Sequence, residues 1–359
     1  MTITVALITA ALTTPAAAQR CGAIDAYVGR AMAAQGIPGA TVRVDHGGRV
    51  VHRGAYGVAN VEWGIPARVG TVYDLASITK SFTAVAALQL VAHRTLALDD
   101  SIGRYLPELP PSWKGVRVRE LLAHTAGLPD MIDPRTDGLV ASSYDSALAM
   151  VRVRPLQFAP GTSWTYDQTT YVLLQRIIEK VAATPLDAYL RAHVFAPLGM
   201  SRTSFGDSYA VVTGRAEQYE RAAPSELRVR MSRVPTFAHG AGGLNSTVDD
   251  LAAWVEAVRD GKVIPADLRD LMWAPAELRN GTHVSIDGPV GYGFGVITFS
   301  IPGNRSVGHL GASHSAYRYF RDANSIVVVL TNGKGDTDGI VDSVEALSES
   351  AACRRRLVE

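Results

Sequence analysis

Lysine and cysteine are both scarce in this chain, which has five lysines and two cysteines among its 359 residues. Each scarcity, and each missing motif, closes off a class of chemistry. No Cys-x-x-Cys and no His-Glu-x-x-His occurs, so no zinc site is indicated. No Gly-x-x-x-x-Gly-Lys loop is present to cradle a phosphate. The nearest approach to Gly-x-Ser-x-Gly is Gly311-Ala-Ser-His-Ser315, which lacks the second glycine, and this argues against an α/β-hydrolase elbow. Lys+Arg 35 against Asp+Glu 34 leaves a net charge of +1. The one basic run, Arg354-Arg355-Arg356, sits at the tail, so nothing points to a nucleic-acid groove. Long apolar runs are missing too: Ile3 to Leu12 is too short to span a bilayer. There is no internal repeat, low-complexity tract or linker.

What is present suits a folded protein with a large core, as one large domain or two lobes: 47% apolar and 19% charged residues. The first eighteen residues stand apart. The Ile3 to Leu12 run is followed by Pro15 and Ala16-Ala17-Ala18, a small-residue cleavage pattern, although no Lys or Arg precedes Arg20. We therefore expect residues 1–18 to be a signal peptide, residues 19–359 the folded part, and a periplasmic or secreted location. Cys21 and Cys353 flank that folded part. In an oxidising compartment they either pair or remain free thiols.

Along the chain, Ile24, Tyr27, Val28, Ala31 and Met32 share one face and predict a helix over 22–35. Ala40 to Asp45 and Arg49 to Tyr56 predict two strands joined by His46-Gly47-Gly48. Helical signals then dominate: 78–91, 99–106, 117–124, 145–153, 168–181, 185–194, 247–259 (with Thr247 as N-cap) and 265–273. Short strands and loops fill 201–240. Strands return at 291–299, 306–309, 315–320 and 325–330, the last a buried-type run, and 338–352 closes as a helix. A two-strand hairpin is not stable alone. The expected fold is therefore α+β: an antiparallel sheet built from both chain ends and flanked by the terminal helices, with a mostly helical second lobe. The sheet lobe would take about 19–70 and 285–359, and the helical lobe about 71–284. This arrangement brings Cys21 near Cys353 and leaves a cleft between the lobes as the place for a site.

Ser77 enters the 78–91 helix, and Lys80 follows one turn on along the same side. A serine hydroxyl needs a neighbour to take its proton, and a desolvated lysine can do so. The pair alone decides nothing. With 23 serines and five lysines, chance supplies about 0.3 Ser-x-x-Lys pairs, and a capping serine beside a snorkelling lysine looks the same. Tyr166, in a loop after Pro160-Gly161, either projects a phenol whose pKa a nearby ammonium lowers or packs the loop. Gln168 offers an amide. His309-Leu310-Gly311 ends a strand, either as an edge for a substrate backbone or as ordinary structure. The apolar neighbours of His124 point to a structural histidine.

Four stretches together carry a resemblance: Ala76-Ser-Ile-Thr-Lys-Ser-Phe-Thr83, Leu121-Leu-Ala-His-Thr-Ala-Gly-Leu-Pro129, Gly240-Ala-Gly-Gly-Leu-Asn-Ser-Thr247, and Gly308-His-Leu-Gly311 with Val327-Val-Val-Leu-Thr-Asn332. The sequence resembles the serine β-lactamase and D-alanyl-D-alanine carboxypeptidase superfamily, on its class C and esterase-like branch. The resemblance implies that Ser77 is acylated, that Lys80 is its partner, and that Tyr166 is the general base and proton shuttle. It also places the N–H groups of Ser77 and Ala312 in an oxyanion hole and makes Gln168, His309, Gly311 and Ala312 substrate-binding. Two positions depart from the pattern. Gln168 stands where an asparagine is usual, and His309-Leu310 replaces lysine and threonine, which removes a permanent charge and a hydroxyl.

The expected protein is an exported serine hydrolase, a D-Ala-D-Ala carboxypeptidase-like peptidase or an esterase. A β-lactamase and a non-catalytic penicillin-recognising or peptidoglycan-sensing module are the alternatives. It needs no cofactor and no metal. Its partner is a small-molecule or short peptide substrate, with no nucleic acid and no transmembrane helix, and the chain is a monomer. Specificity would rest on loops 130–145 and 205–235, and Arg318 would either reach a carboxylate or face solvent.

Overall fold

The computed structural model describes residues 20–131, 141–223, 226–350 and 353. The expected signal peptide, most of the 130–145 loop and the Arg354-Arg355-Arg356 run lie outside the described residues. The chain opens with α1 (Gly22–Gln35), β1 (Gly39–His46), β2 (Arg49–Asn60), β3 (Ile65–Pro66) and β4 (Tyr73–Asp74). The helical part holds α2 (Thr79–Ala92), α3 (Val118–Leu122), α4 (Tyr144–Val151), α5 (Thr169–Ala182) and α6 (Leu186–Leu190). After β5 (Ser204–Phe205), β6 (Tyr219–Ala223), β7 (Glu226–Val229) and β8 (Leu244–Ser246) come α7 (Val248–Arg259) and α8 (Ala266–Met272). The chain ends in β9 (Ser285–Asp287), β10 (Val290–Tyr292), β11 (Ile297–Ile301), β12 (Asn304–Leu310), β13 (Ala316–Phe320), β14 (Ser325–Thr331) and α9 (Thr337–Ser348).

Nine strands form one antiparallel sheet in the order β3-β2-β1-β14-β13-β12-β11-β10-β9. The two chain ends meet at β1 and β14, where Ala40 pairs with Thr331 and His46 with Ser325. Gly47 and Gly48, both at positive φ, make the tight β1–β2 turn, whose hand suits twisted strands. β14 shows why a continuous apolar run is needed at the centre. Ile326, Val328 and Leu330 face the large core shared with α2, α5 and α7, while Val327 and Val329 face a second core under α1 and α9. Burial on both faces demands apolar residues at every position rather than alternate ones. The expected α+β architecture is the one observed. Cys21 and Cys353 are joined by a disulfide. No helix among the described residues is long and apolar enough to cross a membrane.

Three elements differ from the reading of the sequence. The expected strand 291–299 is a hairpin, broken between β10 and β11. Gly295, at φ 71°, is pressed so close to α2 that a Cβ would lie 2.9 Å from Lys80 O and 2.8 Å from the Tyr171 hydroxyl. Its carbonyl accepts the Ser81 hydroxyl at 2.6 Å, so the break clamps the sheet onto the helix that carries Lys80. The expected helix 99–106 is only a 3-10 turn, Ile102–Arg104. There Asp100 takes up Ala97 N–H and the Tyr105 hydroxyl, and Pro107 disfavours helix at the residue before it. Finally, α6 runs on as a π-helical turn through Phe195.

Candidate active site

Ser77 lies in a 3-10 turn, Ala76–Ile78, that runs straight into α2. The residue before it, Ala76, has φ 43°, a left-handed conformation that costs an alanine roughly 1–2 kcal/mol. Asp74 offsets part of that by accepting Ala76 N–H at 2.7 Å. α2 is buried almost all round, so it carries Lys80 into the interior, where that side chain is 0% exposed. Lys80 Nζ lies 3.3 Å from Ser77 Oγ, 2.7 Å from Gln168 Oε1 and 2.9 Å from the Ala241 carbonyl. Burial pulls its pKa down to about 7, with Asp130 and Asp167 holding it from falling further. Gln168 therefore reaches Lys80 despite its extra methylene. Its contact in this structure is to the lysine rather than to a substrate position.

Tyr166 stands beside this pair. Lys80 Nζ is 4.8 Å from its ring centroid. Its hydroxyl is buried and has no ordinary hydrogen bond, and it faces Ser77. The expectation of a lowered phenol pKa is overturned. Burial pushes it well up, and Asp167 and Asp130 add to that, so the resting group is a phenol. The loop is held by His124, whose carbonyl accepts Thr165 N–H at 3.1 Å and whose ring packs 4.5 Å from that of Tyr166. His124 Nδ1 lies 2.8 Å from the Thr170 hydroxyl and accepts Asp167 N–H at 3.5 Å. With that nitrogen occupied and burial holding its pKa well below the usual value, His124 is neutral and structural, as its apolar neighbours suggested.

His309 is buried at the end of β12, 3% exposed. Its Nδ1 is 2.7 Å from the Leu310 carbonyl, which can only accept, so Nδ1 carries the proton. Nε2 then accepts from the Tyr292 hydroxyl at 3.1 Å. Burial, with the nearby Lys80 charge, lowers its pKa to about 3. His309 is thus a neutral ring with both nitrogens engaged and offers no cation for a carboxylate. Gly311 is required as glycine because a Cβ would lie 2.4 Å from Leu75 O. The turn after β12 is closed by Gly311 N–H to Ser315 O and His314 N–H to Gly311 O, bonds that do not involve Ala312 N–H. Of the two readings of Arg318, the structure bears out the carboxylate, and the protein itself supplies it. It is 4% exposed, paired with Asp338 and Asp342 of α9, and lies 3.9 Å over the Phe299 ring.

The reading of the sequence missed three residues. Tyr292 sits in Gly291-Tyr-Gly-Phe-Gly295, where nothing marks it as a partner of His309. Arg230 donates from Nη1 to Ala312 O at 2.9 Å across 82 residues, a contact only the fold creates. Asp74 did carry a signal: an Asp two residues before a backbone N–H that needs an acceptor is the usual pattern of an Asx turn.

Comparison with known proteins places the chain in a family. The chain is 31% identical over 321 residues to esterase EstB of Burkholderia gladioli, covering 79% of this chain and 80% of that one. It is 28% identical over 326 residues to penicillin-binding protein 4* of Bacillus subtilis strain 168, covering 83% and 69%. Among solved structures, the octameric penicillin-binding protein homologue from Pyrococcus abyssi superposes with a TM-score of 0.74 at 27% identity, covering 91% of this chain and 76% of that one. The Beta-lactamase family matches residues 24–349, and the chain belongs to that family of serine β-lactamase-fold hydrolases.

Proposed function

We propose that the protein hydrolyses small acyl esters through an acyl-enzyme on Ser77. The observation that carries this is Lys80: buried, 3.3 Å from Ser77 Oγ, with its pKa brought to about 7. A lysine with that pKa is neutral in a large fraction of molecules near neutral pH and can take the serine proton. As Ser77 Oγ bonds to the acyl carbon, its proton passes to Lys80 Nζ, and the carbonyl electron pair moves to oxygen. That oxyanion sits between the N–H groups of Ser77 and Ala312. Collapse breaks the bond to the leaving alkoxide, which is protonated by the Tyr166 phenol, and Lys80 returns a proton to Tyr166. Water then repeats the sequence on the acyl-enzyme. Gln168 serves by holding Lys80 in place.

The neutral His309 supports an ester over a peptide ending in a carboxylate, or a β-lactam, because it supplies no charge to grip one. The Cys21–Cys353 bridge supports an oxidising location outside the cytoplasm. The test is a panel of p-nitrophenyl esters, a D-Ala-D-Ala peptide and nitrocefin, with a fluorophosphonate for intact-mass labelling. The expected result is one fluorophosphonate adduct on Ser77, with kcat/KM highest for the esters. No adduct on natively folded protein would remove the mechanism, and a preference for the peptide or nitrocefin would remove the ester assignment.

A further inference from the structure

Asp74 stands where the two sides of the reaction centre meet. Its carboxylate accepts Ala76 N–H at 2.7 Å, one residue before Ser77. Its carbonyl accepts the Ser313 hydroxyl at 2.6 Å and the Ser315 hydroxyl at 3.2 Å, both from the turn that follows β12. One residue therefore grips the segment that carries Ser77 N–H and the turn that carries Ala312 N–H. The surroundings brace the same joint. The backbone at Gly311 runs against Leu75 O with no room for a side chain. Arg230 holds the Ala312 carbonyl at 2.9 Å; burial raises the Asp74 pKa above the usual carboxylate value, and Ala76 N–H, Arg230 and Arg215 hold it from rising further.

This joint matters because the two donors come from parts of the chain that share no local structure. Ser77 N–H belongs to a helical turn, and Ala312 N–H belongs to a strand end 235 residues later. Donors of this kind stabilise a developing oxyanion only when both are already aimed at it, within about half an ångström. Neither the α2 helix nor the β12–β13 ladder by itself sets the gap between them. Tyr317 of β13 donates to Ser81 Oγ one turn further along α2 at 3.0 Å, and the hydrogen bonds nearest the two donors meet at Asp74.

We propose that Asp74 is a positioning residue for acylation. Through its carboxylate and its carbonyl it sets the spacing of Ser77 N–H and Ala312 N–H, and so the affinity of the site for a tetrahedral anion, without touching substrate. This rests on the reading that Ser77 is acylated and that those two N–H groups receive the oxyanion.

Asp74→Ala removes the acceptor of Ala76 N–H, and Asp74→Asn keeps an acceptor oxygen there. Ser313→Ala with Ser315→Ala removes the other arm and leaves Asp74 intact. The readouts are the acylation rate with p-nitrophenyl acetate and inhibition by phenylboronic acid, whose boron bonds Ser77 Oγ as a tetrahedral anion while the serine proton passes to Lys80. In Asp74→Ala, acylation falls about 10²-fold and the boronate inhibition constant rises by a matching factor, with KM changed by less than about threefold. Asp74→Asn recovers to within about tenfold of the parent, and the serine double variant loses about tenfold in both readouts.

The proposal is overturned if acylation falls while boronate affinity holds, or if Asn is as damaging as Ala in a protein that melts like the parent. If Asp74→Ala does not fold, the serine pair decides, and parental values in both readouts for that variant overturn the proposal. A parent protein that neither binds the boronate nor is acylated at Ser77 ends the underlying reading, and the proposal with it. That failure shows in the parent and is distinct from a failure confined to the variants.

Discussion

In the proposed reaction the chemistry turns on Lys80, and its behaviour follows from where α2 puts it. A lysine at the surface would keep its proton until far above neutrality. Burial in the interior pulls the Lys80 pKa down to about 7, against the opposing pull of Asp130 and Asp167. The sign of the pH dependence follows. The base form is the deprotonated amine, so the acylation rate should rise as pH increases through about 7 and then level off, which a pre-steady-state burst across pH 5–9 would show. Lys80→Ala should lower that rate by about 10²–10⁴-fold. Tyr166 presents the opposite case, a phenol that keeps its proton and has it to give. Tyr166→Phe should therefore cost about 10²-fold or more with alkyl esters and much less with p-nitrophenyl esters, whose leaving group needs no proton. Equal losses on the two ester types would remove Tyr166 as the donor. Ser77 and Lys80 were legible once four motifs were taken together, whereas the direction of the Tyr166 shift was not. It depends on how burial, with the neighbouring Asp167 and Asp130, outweighs the contact with Ser77, and no sequence spacing encodes that balance.

At the scale of elements, the helices with apolar periodicity and clear ends were legible. α7 is the clearest: Thr247 accepts Asp250 N–H at 3.2 Å, the cap expected from its position. Thr247→Ala should cost about 1 kcal/mol, read from the midpoint and slope of urea unfolding. Elements set by distant contacts were not legible. The 291–299 segment alternates and is rich in strand formers, yet Gly293 and Gly295 turn it against Met272 and α2. A glycine placed for close approach and a glycine placed in a strand look alike until the partner backbone is known. Arg318 was ambiguous for the same reason, because its partners Asp338 and Asp342 lie on α9, which reaches it only after the sheet closes.

At the scale of the molecule, the sheet is closed by pairing the first strand with the last, and the disulfide fastens the same two ends. Cys21 and Cys353 are 332 residues apart, both buried in the core under α1 and α9. Replacing both with serine should cost about 2–5 kcal/mol. The thermal midpoint should then fall by about 3–7 °C for a chain of this size. Reduction of the parent protein should reproduce most of that fall. A midpoint unchanged by either treatment would show that β1–β14 pairing and the α1–α9 core hold the ends without the bridge.

The sequence by itself determined the class of fold and the way the two chain ends must combine, and it singled out Ser77 and Lys80 as the candidate nucleophile and its partner. The first two rest on local periodicity and the rule that a lone hairpin cannot stand, and the last on four motifs taken together. Tertiary structure alone decided the states of the groups around them. It made His309 neutral by giving its nitrogens to Tyr292 and Leu310, turned Gln168 onto Lys80, kept Tyr166 protonated, and brought the turn at Ser313 and Ser315 onto the Asp74 carbonyl. Burial and long-range hydrogen bonding set protonation and aim, and both exist only once residues tens to hundreds of positions apart have packed together.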